Sequence, residues 1–267
     1  MLILLYHGIT EQNPPKEIYS VNKEEFKKQM LYLKENKYNI LSLGRLAEIL
    51  KRKEDIPEKS VIITFDDGLL SQFEYAYPLL KELNLSACFF ITASKVNQTN
   101  YMNWVQIRIL IQNNMEIGSH GLTHQILYGE NDKVIVNELK TSKEILEKNL
   151  KIPIDYLSIP RGWPFREKKI IHLSKAVGYN LVCSSKIGYI NLNSDIFTLP
   201  RIPLKRNIAF SEFIQILKES SLKLFFYKIE ESFKNNLKIV LGIKNYEYIR
   251  KKLLRKEYTN EHLFPGE

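Results

Sequence analysis

Two short segments of the chain carry residues that together could hold a metal ion. Thr64-Phe65-Asp66-Asp67-Gly68 follows a continuously apolar, β-branched run. Adjacent ionised carboxylates repel one another unless a cation lies between them. Ser119-His120-Gly121-Leu122-Thr123-His124 follows a second apolar run and is opened by Gly118. Histidines four apart share one face of a helical turn, so this spacing predicts two imidazoles reaching a single ion. Each half has a plain reading by itself: Asp-Gly is an ordinary turn, and HxxxH alone is a weak signal. Together they offer an Asp, two His and a second Asp. That is the donor set of an open zinc site, with three protein ligands, a position for water and a carboxylate to take its proton. Co2+ and Ni2+ suit the same donors, so zinc is the default rather than a deduction.

Two further groups stand after strand-like runs. His7 lies in Leu4-Leu5-Tyr6-His7-Gly8, where a general acid would be placed if its strand ends beside Asp66 and His120. Ile159-Pro160-Arg161-Gly162-Trp163 reads as a rigid turn whose backbone can approach a ligand. The plainer readings are a structural histidine and a simple turn.

Positioning these groups requires alternating strands and helices. Strands are expected at Leu2–Tyr6, Asn39–Leu43, Val61–Phe65, Ala87–Thr92, Met115–Ser119, Tyr156–Ile159, Asn180–Ser184 and Phe197–Ile202. Helices are expected at Lys23–Glu35, Leu46–Lys53, Ser71–Leu83, Trp104–Asn113, Lys133–Asn149 and Glu167–Val177. The alternation predicts a mostly parallel α/β sheet, open or closed into a barrel, with its chemistry at the C-terminal strand ends. From about Ser211 the pattern is helical only. Residues 1–210 therefore read as a catalytic domain and 211–267 as a basic helical extension.

The 267 residues include 39 Lys+Arg and 30 Asp+Glu, a formal net charge of +9, and 44% are hydrophobic. These values exclude a disordered tail, a collagen-like fibre and a disulfide-stapled miniprotein. Cys88 and Cys183 sit in apolar runs and read as buried thiols. No stretch approaches the roughly 20 apolar residues of a spanning helix. The N-terminal MLILLYHGIT has no positive flank and too short an apolar run for a signal peptide, so a cytoplasmic protein is expected. The last helix-like segment gathers Arg250, Lys251, Lys252, Arg255 and Lys256 beside Leu253, Leu254, Tyr246 and Tyr248. It suits peripheral contact with an anionic inner-membrane surface, against the plainer reading of a solvated helix face. Nucleic acid is not expected, because the basic residues are dispersed and carry no recognition motif.

The ordered set YHGI, TFDDG, SHGLTHQIL and IPRGW, over about residues 1–205, resembles the polysaccharide deacetylases of the NodB-homology type, carbohydrate esterase family 4. The resemblance implies an irregular (β/α) barrel. It implies Asp67, His120 and His124 as metal ligands and Asp66 as general base. It also implies the early-histidine, circularly permuted branch that deacetylates poly-N-acetylglucosamine, in which His7 is the catalytic acid. Two departures from the family pattern stand out. Gly121 occupies a position usually held by Ser or Thr. Ser158 stands where many members carry the Arg that orients the base, and Arg161 stands where a Tyr supplies an oxyanion-hole N–H; that backbone donor is retained. Arg201, in Leu199-Pro200-Arg201, is the candidate cationic partner of the base and is counted with the substrate-side residues. Trp163, Tyr128 and Trp104 are expected in loops near the site, where aromatic rings stack on sugars.

The implied activity is metal-dependent hydrolysis of N-acetyl groups from an amino-sugar glycan or from a lipid- or nucleotide-linked precursor. Its rate profile would be bell-shaped, with Asp66 on the acidic limb and His7 on the basic limb. The alternatives are hydrolysis of another non-peptide C–N bond, as in a small cyclic amide, and a carbohydrate-binding homologue without turnover.

Overall fold

The computed structural model describes residues 1–11, 18–161, 168–206, 208–218 and short stretches between 227 and 249. Its elements run β1 (Leu2–Tyr6), β2 (Ile9–Thr10), β3 (Val21–Asn22), α1 (Lys23–Glu35), β4 (Asn39–Ile40), α2 (Leu43–Arg52) and β5 (Ser60–Phe65). A π-helical turn, Gln72–Ala76, then leads into α3 (Tyr77–Glu82), β6 (Cys88–Ile91), α4 (Trp104–Gln112), β7 (Glu116–Ser119) and α5 (Asp132–Leu150). The last elements are β8 (Tyr156–Ser158), α6 (Lys168–Val177), β9 (Leu181–Cys183), β10 (Ile202–Pro203) and α7 (Phe210–Leu217).

β5 is buried at every position because it lies in mid-sheet. The order is β10-β1-β5-β6-β7-β8-β9, with β4 beside the start of β5, and every pairing is parallel. Strand side chains alternate between two cores, as the two-residue period requires. Leu2, Leu4, Tyr6, Val61, Ile63, Phe65, Phe89 and Ile91 face the surrounding helices. Ile3, Ile62, Cys88, Phe90, Leu181 and Cys183 form an inner cluster with Leu43, Leu46 and Leu50 of α2. The sheet therefore curls into an irregular barrel with α2 against its interior.

One segment joins the sheet's two ends. Leu199 bridges Cys183 of β9, and Ile202 pairs with Leu4 of β1. Because all strands are parallel, the C-terminal ends of β1, β5, β7 and β8 share one rim. That rim presents His7, Asp66, Asp67, His120 and Arg161.

The expected strand Phe197–Ile202 is only this bridge plus β10, since Pro200 and Pro203 cannot donate to a ladder. The expected helix Leu46–Lys53 starts earlier, at Leu43, because Ser42 caps it by accepting from Arg45 N. The expected helix Ser71–Leu83 opens as the π-helical turn. The pairing of β2 with β3 involves two residues per strand, too few to show a period. α7 packs on α1 and buries Phe213, Ile216 and Leu217. The basic stretch 250–256 lies outside the described residues. No described helix is long and apolar enough to cross a membrane.

Candidate metal centre and active site

Three residues of this rim hold a left-handed backbone. Eleven described non-glycine residues have positive φ. Eight are Lys or Asn, all exposed, and the other three are Asp67 (81°), His124 (67°) and Arg161 (45°). Such conformations cost of order 1–3 kcal/mol each and persist where surrounding structure enforces them. After β5 the chain passes through Asp67 and Gly68 in succession, both left-handed. A Cβ on Gly68 would meet Ile91 Cδ1 at 3.2 Å, so φ and space both demand glycine there. This turn separates the two carboxylates: Asp66 points to the buried Arg201, and Asp67 points to the histidines.

One ligand atom each from Asp67, His120 and His124 lies within 4.8 Å of the others. Asp67 Oδ1 is 3.5 Å from His120 Nε2 and 3.3 Å from His124 Nε2. His120 Nδ1 is 2.9 Å from the Ser158 carbonyl oxygen, which can only accept. That bond places the ring proton on Nδ1 and leaves the Nε2 lone pair facing Asp67. A lone pair opposed to a carboxylate is what a cation reconciles, so these residues fit a divalent metal. Burial pushes His124 well below its usual value, keeping it neutral and able to ligate. Burial also pushes the Asp67 carboxyl up to about 6, helped by Asp66 and opposed by His120. Metal must displace that proton. Affinity for Zn2+ should therefore be about tenfold weaker at pH 5 than at pH 7 through Asp67 alone. Metal titrations at the two pH values check this, and a flat dependence would contradict it.

The expectation that both histidines lie on one helical turn is corrected: residues 120–124 form a loop. Its shape comes from Glu138 of α5, a buried carboxylate that sequence reasoning missed. Glu138 Oε2 accepts from Leu122 N (3.0 Å) and Thr123 N (2.9 Å), and Oε1 accepts from Thr123 Oγ1 (2.8 Å). Gly121 has φ 76°, and a Cβ there would lie 3.3 Å from Pro160 Cγ. The hydroxyl absent at 121 is thus answered by a carboxylate holding the next two residues.

Asp66 is 3% exposed and Arg201 2%. Arg201 Nη1 and Nη2 donate to the two Asp66 oxygens, each at 2.7 Å, in a bidentate pair. Burial alone would raise the Asp66 carboxyl, but the charge of Arg201 and its hydrogen bonds outweigh it. They hold the group well below the usual carboxylate range. The count of Arg201 with the substrate-side residues is corrected: so buried a guanidinium reaches substrate only through Asp66. Ser158 completes this cluster, donating from Oγ to Asp66 Oδ2 at 2.9 Å.

His7 is half-buried and faces Tyr19, with ring centroids 5.1 Å apart. Its Nδ1 is buried and has no hydrogen-bond partner among the described residues. Gln72, also missed, donates from Nε2 to the carbonyl oxygens of His7 (3.1 Å) and Asp66 (2.5 Å), tying the two strand ends together. Burial pushes His7 down to about 4, against the upward pull of Asp66. The expected bell is thereby displaced: in the free chain both Asp66 and His7 have lost their protons well below neutrality. Tyr128 is half-buried in the loop between His124 and α5. Trp104 is the first residue of α4, not a loop residue, and packs against the outer core. Trp163 lies outside the described residues.

The polysaccharide deacetylase family model matches residues 53–182, which span Asp66, Asp67, His120, His124 and Ser158. Through that stretch the chain is similar to the polysaccharide deacetylases. YxkH of Bacillus subtilis is 26% identical over 219 residues, covering 81% of this chain and 76% of the relative. The poly-β-1,6-N-acetyl-D-glucosamine N-deacetylase of Staphylococcus epidermidis is 28% identical over 242 residues, covering 80% of this chain and 82% of the relative. The Streptococcus pyogenes deacetylase PplD shares the deacetylase fold with a TM-score of 0.75 at 22% identity, over 83% of this chain and 98% of that one. IcaB from Ammonifex degensii does so with a TM-score of 0.70 at 21% identity, over 82% and 96%.

Proposed function

We propose that the chain is a metal-dependent N-deacetylase that hydrolyses acetamido groups of an amino-sugar glycan. The observation that carries this reading is the Asp67, His120 and His124 donor set with a second, Arg-paired carboxylate, Asp66, beside it. Zn2+ held by those three residues would supply Lewis-acid polarisation of the acetyl carbonyl and acidify a water. Asp66, kept ionised by Arg201, accepts the proton of the attacking water. The Arg161 N–H, at the end of β8, donates to the developing oxyanion, and one such donor is typically worth roughly 3 kcal/mol. His7, neutral in the free chain, takes up a proton from water as charge develops on the bound substrate and delivers it to the leaving nitrogen. Negative charge developing on the attacked carbonyl acts in the same direction as Asp66 and raises the low His7 value toward that task.

The first substrate to try is poly-β-1,6-N-acetylglucosamine, named for the staphylococcal relative, followed by lipid- or nucleotide-linked N-acetylhexosamines. Trp163 and Tyr128 are the residues proposed to stack on sugar rings. Untagged wild type should carry about one metal ion per chain and release acetate. His120→Ala/His124→Ala should carry none and release none, as measured by elemental analysis beside an acetate assay. A metal-free wild type after reconstitution with zinc, cobalt or nickel would remove the hydrolase reading. The reading of a binding homologue without turnover draws on Gly121 and Ser158; against it, Glu138 holds the two residues after Gly121 and Arg201 pairs with Asp66.

The same proposal places the enzyme against an anionic membrane through its C-terminal segment. Phe233, Val240 and Tyr248 are exposed there, and the basic run Arg250–Lys256 follows. Deleting residues 244–267 should abolish sedimentation with phosphatidylglycerol vesicles, and undiminished binding would dispose of this part.

A further inference from the structure

The geometry points to Ser158 as a positioning residue that couples the proposed base to a metal ligand. The inference rests on the hydrolase reading of the same site. Ser158 is the last residue of β8, is fully buried, and touches three members of the centre at once. Its Oγ donates to Asp66 Oδ2 at 2.9 Å and accepts from Arg201 Nη2 at 2.7 Å. Its carbonyl accepts from His120 Nδ1 at 2.9 Å. These roles are forced by chemistry: a carboxylate only accepts, a guanidinium only donates, and a hydroxyl has one proton to give.

The two arms do different work. The carbonyl sets the His120 tautomer and its ring plane, and it belongs to the backbone, so substitution leaves it in place. The hydroxyl closes a ring of hydrogen bonds with Arg201 Nη2 and Asp66 Oδ2, which stops the carboxylate from rotating about its Cβ–Cγ bond. An arginine arriving from the barrel's closing segment fills the space beside Asp66, and a small hydroxyl completes the ring where a long side chain would collide with it.

Ser158→Ala removes one oxygen and Ser158→Thr keeps it. With metal-loaded full-length protein and N-acetylglucosamine oligomers, Ser158→Ala should lose about tenfold or more in kcat. KM should stay within about twofold and metal content should be unchanged, while Ser158→Thr should recover most of the rate. A crystal structure of metal-loaded Ser158→Ala should show the Asp66 carboxylate turned from its wild-type plane. Undiminished kcat, or an unmoved carboxylate, would overturn the proposal. So would metal loss or a melting-temperature drop that accounts for the rate, since either would make Ser158 merely structural. If wild type releases no acetate, the hydrolase reading fails by itself, and the carboxylate plane still decides the role of Ser158.

Discussion

Asp66→Asn should lose about 10²–10⁴-fold in kcat while still binding one metal ion per chain. The amide keeps an acceptor for Arg201 and Ser158 but cannot take a proton from water. The three ligand atoms sit on Asp67, His120 and His124, so the ion has no reason to leave. Elemental analysis beside single-turnover acetate release separates the two effects. The test is sharp because Asp66 Oδ2 is itself only 3.9 Å from His120 Nε2. If metal departs with turnover, Asp66 is a ligand and the division of labour between the two carboxylates is reversed.

Arg201→Met should be the most destabilising single change at the centre. It leaves Asp66 ionised, buried and without a counter-charge, at a cost of about 3–5 kcal/mol. For a domain of this size that corresponds to a fall in Tm of roughly 10 °C. Because Arg201 holds the Asp66 value below its unfolded one, the pair's contribution is present above about pH 4 and is lost as pH falls further. The deficit of the variant relative to wild type should therefore shrink in acid. The double variant Asp66→Leu/Arg201→Met should recover most of the stability and none of the activity, because an apolar pair of similar volume carries no desolvation cost. Urea melts of the four proteins at pH 7 and at about pH 2.5 measure the cycle. A single variant as stable as wild type would mean that water reaches Asp66.

The legible parts of this protein are those in which neighbours in sequence are neighbours in chemistry. TFDDG announces its turn because a buried β-branched strand ends in two carboxylates and a glycine. Lys23–Glu35 is a helix at the expected bounds, with Phe26, Met30 and Leu33 buried at helical spacing. Less was legible where distant residues decide. Histidines four apart suggest a helical turn, but Glu138, 14 positions beyond His124, holds the intervening residues as a loop. Arg201 could be named only because Ser158 leaves the base without a cation, and nothing local to LPR reveals how deeply it is buried. Gln72 lies in an amphipathic stretch whose period gives no hint of a π-helical turn. The low His7 value follows from burial by tertiary neighbours, which no local pattern encodes.

The segment Leu199–Pro203 has a further consequence, for the order in which the protein becomes an enzyme. Every proposed metal ligand lies within the first 124 residues, in the loops that follow β5 and β7. Arg201 lies 135 positions after Asp66, on the piece of chain that joins the last strand to the first. Contacts so far apart in sequence carry the largest loop-closure cost and tend to form late. During synthesis, Asp67, His120 and His124 emerge before Arg201, so until the closing segment follows the proposed base has no counter-charge. Competence to catalyse then arrives with the closing of the sheet, and hydrolytic activity itself reports that the fold is finished.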